Sequence, residues 1–144
     1  MALIYGEDAY VAVWVASHLE HVDEFEECTA IGVASGDELI AGCVYTSHRP
    51  KYGTVEMSIA STSPMWARKE NIAGLLRYPF EQLGVYKVYA AIMLSNAPAL
   101  KTIAHIGFTR EAILAHQFGK KQHAVVLRML RPDYTRLYGE PRDG

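Results

Sequence analysis

Few polar residues in this chain stand where they could do chemistry. Glu56 interrupts an apolar run. Val55, Met57 and Ile59 share one side of an alternating pattern, and Glu56, Ser58 and Ala60 share the other. Arg68 and Lys69 stand together at the head of the helically spaced apolar positions Ile72, Leu75, Leu76, Phe80 and Leu83. Cations in the first turn of a helix oppose its dipole by roughly 0.3–1 kcal/mol each, and a bound polyanion relieves that conflict. The free N–H groups of the same turn form a ready phosphate receptor. The alternative is a pair of solvated side chains balanced by Glu70 and Asn71. Asn96 precedes a second helical segment and can cap it.

Other constellations are excluded by their spacing. His18, His21, His48, His105, His116 and His123 show neither HExxH nor HxH, so no metal site is expected. No GxSxG nucleophile elbow is present. Cys28 and Cys43 lie fifteen residues apart without CxxC spacing. They read as buried free thiols in a reducing compartment, with a disulfide as the alternative.

The elements that must position these groups follow from periodicity and turn chemistry. Leu3–Tyr5 is a short apolar start. Asp8 can cap a helix running to about His21 with Val11, Val15 and Leu19 on one stripe. Strands are predicted over 29–34, 39–47 and 54–61, with turns at Ser35-Gly36-Asp37 and Arg49–Gly53. A helix is predicted over 67–83, ended by Gly84. A strand over 85–93, a helix over 97–105 closed at Gly107, strands near 111–118 and 123–130, and a helical turn over 132–138 complete the order. The sum is an α/β mixture with an antiparallel meander and one helical crossover.

Length and charge bound the function. The 144 residues are half apolar and 21% charged, which suits a single domain over 1–144 with a real core. A net charge of −2 gives no reason to expect a nucleic-acid partner. The nine tyrosines and interleaved bases read as strand packing rather than an RNA surface. No apolar run reaches 18 residues, so no membrane span is expected. Met1–His48 contains no Lys or Arg, which argues against a signal peptide and for a cytoplasmic location. Residues 1–38 carry −9, residues 39–100 carry +3 and residues 101–144 carry +4. Such a split suits a cationic substrate meeting an anionic co-substrate; a plain solvated acidic surface is the alternative.

From the third strand onward the chain resembles the GCN5-related N-acetyltransferases, in particular the short branch similar to ribosomal-protein acetyltransferases. The resemblance rests on Tyr78-Pro79-Phe80-Glu81-Gln82-Leu83-Gly84 followed by Lys87-Val88-Tyr89-Ala90. It continues through Asn96–Lys101 and Ile106-Gly107-Phe108-Thr109-Arg110-Glu111, and closes with Gly119, Met129 and Tyr134-Thr135-Arg136-Leu137. The YPF-type helix also resembles short acetyltransferase-like proteins of tailed bacteriophages, which implies a viral source and the host cytoplasm as the location.

The resemblance implies a mixed, mostly antiparallel sheet flanked by helices, whose fourth and fifth strands splay apart. It implies acetyl-CoA as co-substrate in that wedge, with the pyrophosphate over the start of the following helix. The activity implied is N-acetyl transfer to a primary amine, on a small molecule or a protein, directly within a ternary complex; the sequence leaves the oligomeric state open, a homodimer being one option. Glu56 matches the strand carboxylate that acts as base or holds a water that does. Backbone N–H groups around Ile59–Ser61 match the oxyanion and pantetheine contacts, and Asn96 matches the amide that holds the pantetheine arm. Arg68, Lys69 and Asn71 fall at the phosphates, and Lys101 reaches either those phosphates or water. Trp66 either covers the adenine or pantetheine or plugs the core.

The chain also departs from the family. The phosphate loop normally carries glycines, which let the backbone approach the pyrophosphate; Pro64–Asn71 carries none. The usual acid positions hold Ile103 and Ala99. These departures keep a second reading open: a weak or inactive protein of the same fold that binds a partner protein.

Overall fold

The computed structural model describes residues 1–139. Seven strands form one sheet: β1 (Ala2–Ile4), β2 (Thr29–Ser35), β3 (Glu38–Arg49), β4 (Thr54–Ser61), β5 (Lys87–Met93), β6 (Thr109–Leu114) and β7 (Ala124–Leu130). Their spatial order is β1-β2-β3-β4-β5-β7-β6. Every neighbouring pair is antiparallel except β4 and β5, which are parallel. A parallel neighbour needs a crossover, and the chain between Pro64 and Leu83 supplies it. This is the mixed, mostly antiparallel sheet expected.

Helices cover both faces. α1 (Asp8–Ser17) lies on β2, β3 and β4, where Val11 and Val15 pack with Ala30, Val44 and Ala60. Its close seat depends on two glycines. A Cβ on Gly42 would stand 2.5 Å from Val15 Cγ2, and one on Gly32 would stand 3.2 Å from Val11 Cγ2. The opposite face carries the main core. There Val55, Met57, Val88, Ala90, Leu127 and Met129 meet α2 (Lys69–Arg77), the turn Tyr78–Leu83 that continues it, α3 (Ala97–His105) and α4 (Arg131–Tyr138) through Ile72, Leu76, Phe80, Ile103 and Tyr134. Burying side chains of this size contributes about 1.5–3 kcal/mol each, so this layer dominates stability.

Several element boundaries differ from the sequence expectation. The helix expected over 67–83 is three pieces. A 3-10 turn, Pro64–Ala67, is capped by Ser63, whose Oγ accepts from Met65 N–H at 3.2 Å. Arg68 is extended, and the α-helix proper begins at Lys69. At Tyr78 the helix widens into a π turn through Leu83, because Pro79 has no N–H to donate to an α-helical bond. Gly84 then takes the left-handed conformation (φ 72°) that ends it.

α1 stops at Ser17 rather than His21. Ser17 Oγ donates to Trp14 O at 2.7 Å, and His18 Nδ1 lies 2.7 Å from the same carbonyl. Asp8 does not cap its own helix. Its carboxylate accepts the Ala30 N–H at 2.9 Å and ties α1 to the sheet. β6 spans 109–114 rather than 111–118, because the chain turns at His116 (φ 56°). Cys43 is buried as expected, while Cys28 is half-buried; both are free thiols.

Candidate active site

The parallel pairing of β4 and β5 is short. It runs Thr54↔Lys87, Val55↔Val88, Glu56↔Tyr89 and then ends. Beyond it both strands continue, β4 to Ser61 and β5 to Met93, each hydrogen-bonded only to its other neighbour, β3 or β7. The central strands therefore splay into a wedge with Glu56 and Tyr89 at its vertex. The inward edges of Met57–Ser61 and Ala90–Met93 keep backbone N–H and C=O groups without a ladder partner. An extended, amide-bearing chain can add to such an edge as a strand would.

The wedge opens into a cavity of about 1270 Å³, larger than a typical small-ligand pocket of roughly 300–1,000 Å³. Its walls are strand residues Met57–Ser61 and Ala90–Met93, the crossover residues Ser63 and Trp66, and α3 with its cap at Asn96. A fourth side was not anticipated from the sequence: His18–His21, the chain leaving α1.

The expected site residues fall into three groups. Ile59, Ser61, Trp66, Asn96 and Lys101 line the cavity together. Trp66 is 3% exposed and belongs to the main core, so it acts as a wall built from that core. Asn96 is the cap expected, its Oδ1 accepting from Ala99 N–H at 3.3 Å. Glu56 stands at the vertex rather than on the cavity wall. Burial raises its carboxyl above the ordinary carboxylate range. It shares a sheet face with Thr46 and Tyr89, its partners across the strands.

The third group lies at the start of α2, outside the cavity lining. Arg68 and Lys69 are exposed, and Arg68 Nη2 donates to Met65 Sδ at 3.8 Å. Asn71 is buried, its side chain turned away to Met1, where Nδ2 meets Sδ at 3.5 Å. Its backbone N–H, with those of Lys69 and Glu70, still belongs to the first helical turn, which has no intrahelical acceptor.

The two positions at which the family resemblance implies an acid carry no polar group here. Ile103 is buried in the core, and Ala99 lines the cavity without a polar group. The residues missed from sequence are His18–His21. The histidines carry no metal spacing, and among the described residues no cluster of His, Cys, Asp or Glu could hold a metal ion. Only the surplus of acids in that stretch was visible. His21 stacks on Phe118 from the β6–β7 turn, ring centroids 4.2 Å apart. Partial burial lowers its pKa below the ordinary histidine value, against an opposing pull from Glu20.

A mixed sheet whose one parallel pair splays apart, with a helix start beside it, defines a class, that of the GCN5-related N-acetyltransferase fold, and solved structures share that fold. No protein-family model matches the sequence, and no curated protein matches it significantly. A mutant form of the spermidine/spermine N-acetyltransferase SpeG from Vibrio cholerae is similar at a TM-score of 0.74 and 16% identity, over 94% of this chain and 97% of that one. A chimera of the spermidine N-acetyltransferase SpeG from Vibrio cholerae and hSSAT gives 0.73 and 16%, over 93% and 99%. A T. thermophilus protein assigned as an acetyltransferase gives 0.66 and 21%, over 79% of this chain; this chain spans only 64% of that protein's length. Another protein so assigned gives 0.69 and 21%, again over 64% of its own length. These likenesses establish the fold.

Proposed function

We propose that the chain is an acetyl-CoA-dependent N-acetyltransferase that transfers the acetyl group directly to a primary amine within a ternary complex. The observation that carries this reading is the end of β4–β5 pairing at Glu56↔Tyr89. It leaves two unpaired strand edges over a cavity of about 1270 Å³, beside which an extended thioester co-substrate can lie. The bound co-substrate supplies an acyl carbonyl activated toward nitrogen.

The chain's own residues supply the rest. Backbone N–H groups over Ile59–Ser61 hold the pantetheine amides and the carbonyl oxygen, a contact worth several kcal/mol when the donors are preorganised. Asn96 and Trp66 flank the arm. Arg68, Lys69 and the N–H of Asn71 meet the phosphates; without glycines, side-chain charge takes a larger share there. Lys101 adds a further cation on the α3 side. An ammonium has no lone pair to attack with. Burial makes the Glu56 carboxylate a stronger base than an exposed one, and it takes the first proton from the acceptor, directly or through a water.

The acceptor is a cationic amine, small molecule or protein. Glu20 stands on the cavity wall within the acidic first 38 residues, and the similar SpeG structures are named for spermidine and spermine. The free edge of β6, whose six residues are all exposed, suits a homodimer. The second reading is an inactive partner-binding protein of the same fold. The apolar Ile103 and Ala99 at the acid positions favour it.

One experiment separates these readings. Acetyl-CoA is titrated against thermal unfolding, then a panel of polyamines, aminoglycosides and lysine peptides is scanned by mass spectrometry for the mass of an added acetyl group. A hundredfold excess over Kd should stabilise the fold by about 2.7 kcal/mol. Stabilisation without any acetylated product supports the second reading. No stabilisation and no product sinks both uses of the wedge.

A further inference from the structure

The reaction proposed above leaves one proton without a carrier. After the acceptor amine has lost its first proton and bonded to the acyl carbon, its nitrogen still holds a surplus proton, and the departing sulfur needs one. The positions that the family resemblance offers for this task hold Ile103 and Ala99, neither of which can carry a proton.

We infer that His21 is a catalytic residue of this chain, the imidazole that carries the proton from the acceptor nitrogen to the departing sulfur. The inference rests on the proposed acetyl transfer. Its geometric basis is threefold. His21 lines the same cavity as Ser58–Ser61 of β4 and Ala90–Met93 of β5. Its ring is held by stacking on Phe118, so the β6–β7 turn braces the wall that the chain leaving α1 gives the cavity. Neither ring nitrogen hydrogen-bonds to another described residue, so both are available to a substrate.

The other titratable groups on the wall are less suited. His18 is stacked on Trp14, with Nδ1 against Ser17 Oγ and Trp14 O. Glu20 is acceptor-only when ionised, and Lys101 is a cation with no lone pair. His105 sits at the far end of α3.

The step balances. The nitrogen–carbon bond forms, the carbon–sulfur bond breaks with its electron pair on sulfur, and the nitrogen proton passes to the imidazole. The imidazolium then protonates the sulfur, leaving an N-acetylamine, a free thiol and neutral His21. Imidazole suits a two-way transfer because its pKa lies near the working pH. The charges around it do not trap it in one state. On its own segment stand Glu20 and His18; from α3 come Lys101 and His105; beside Phe118 on the turn stand His116, Lys120, Lys121 and His123. Partial burial against Phe118 favours the neutral ring at rest.

The test uses the whole chain and two readouts. The first is the NMR signal of the His21 ring, assigned by comparison with His21→Gln, followed while free CoA is added. The ring signal should move together with the backbone signals of Ile59–Ser61. If those backbone signals move and the His21 ring does not, the imidazole is not at the sulfur and the inference is overturned. The second readout is transfer kinetics. His21→Gln should lower kcat by about a hundredfold with CoA affinity unchanged, and should flatten the acid limb of the kcat–pH profile. Added free imidazole should restore part of the rate of His21→Ala. Phe118→Leu, which keeps the ring but frees it, should fall between wild type and His21→Gln. A His21→Gln enzyme with wild-type kcat and pH profile overturns the inference while leaving acetyl transfer intact. A wild-type chain that acetylates no amine on the panel overturns the proposed function, and this inference with it.

Discussion

Replacing Gly42 by Ala tests whether the acceptor side of the wedge depends on how closely α1 is seated. A Cβ at this position stands 2.5 Å from Val15 Cγ2 and 3.1 Å from Val11 Cγ1. Carbon atoms pack at about 3.5–4.0 Å, so roughly 1 Å must be found. Valine is held in essentially one rotamer in a helix. The side chain therefore cannot turn aside, and α1 itself must lift. Overpacking of this kind costs about 1–3 kcal/mol. Removing a strand glycine returns about 0.5–1 kcal/mol of backbone entropy. The net loss is about 0–2.5 kcal/mol, or a Tm lower by up to about 10 °C for a chain of this length. α1 leads directly into His18–His21 on the cavity wall, and a shift near 1 Å at a reacting site costs on the order of 10²-fold. Of the proposed acetyl-CoA contacts, those of Trp66, Arg68, Lys69, Asn96 and Lys101 lie on the crossover and α3, while those of Ile59–Ser61 lie on β4, where Ala60 is the cross-strand partner of Gly42, so acetyl-CoA affinity should fall clearly less than acceptor affinity. Calorimetry gives Tm and affinity; steady-state kinetics gives acceptor KM and kcat. Val13→Ala, on the outward face of α1 and 70% exposed, is the control and should change neither. An unchanged Tm with unchanged acceptor kinetics refutes the reasoning. So does an equal loss of acetyl-CoA and acceptor affinity, which would mean that the strain passes through the sheet.

Glu56→Gln should cut turnover by roughly 10²–10⁴ with acetyl-CoA affinity unchanged, and the rate should recover at higher pH, where more acceptor is already neutral. A wild-type turnover and an unshifted pH profile would remove Glu56 from the reaction. The same variant reports on stability. Burial raises the Glu56 pKa, so its folded-state value lies above its unfolded value. Its contribution is then full below the unfolded value and is lost as pH rises through the folded one. In urea, Glu56→Gln should therefore gain on wild type at about pH 8 and match it at about pH 4; the reverse order refutes the assignment. Arg68→Ala with Lys69→Ala should weaken acetyl-CoA binding by roughly 1–3 kcal/mol in isothermal titration; an unchanged affinity places the phosphates elsewhere. Reversing Asp23, Glu24, Glu26 and Glu27 to Lys should raise the acceptor KM at low salt, with the effect fading above about 0.15 M as the Debye length falls to about 8 Å. An acceptor KM that ignores both salt and charge makes the acidic stretch a plain solvated surface.

Whatever local pattern sets was legible in the sequence. The strand over 54–61 and the helix over 97–105 begin and end where alternation, the Asn96 cap and helical spacing put them. Gly84 ends its helix because only a residue without a Cβ takes φ 72° freely. Pro79 also carried a local signal, the missing N–H that turns the end of its helix into a π turn. Ser63-Pro64 carried another, a cap that starts a separate 3-10 turn. The unbroken helical spacing of Ile72, Leu75, Leu76 and Phe80 hid both. The site is different. Which strands pair in parallel, and that the pairing stops at Glu56↔Tyr89, depends on how the α2 crossover and α1 load the two faces. That His21 meets Phe118 depends on where two surface segments, far apart in sequence, are carried by the elements that bear them. Hydrophobic periodicity records which face of each element is buried, and it holds no record of which distant residue covers that face. Only the packed sheet gathers Met57–Ser61, Ala90–Met93, α3 and the His18–His21 wall around one cavity, with the Glu56 vertex and the start of α2 outside its lining.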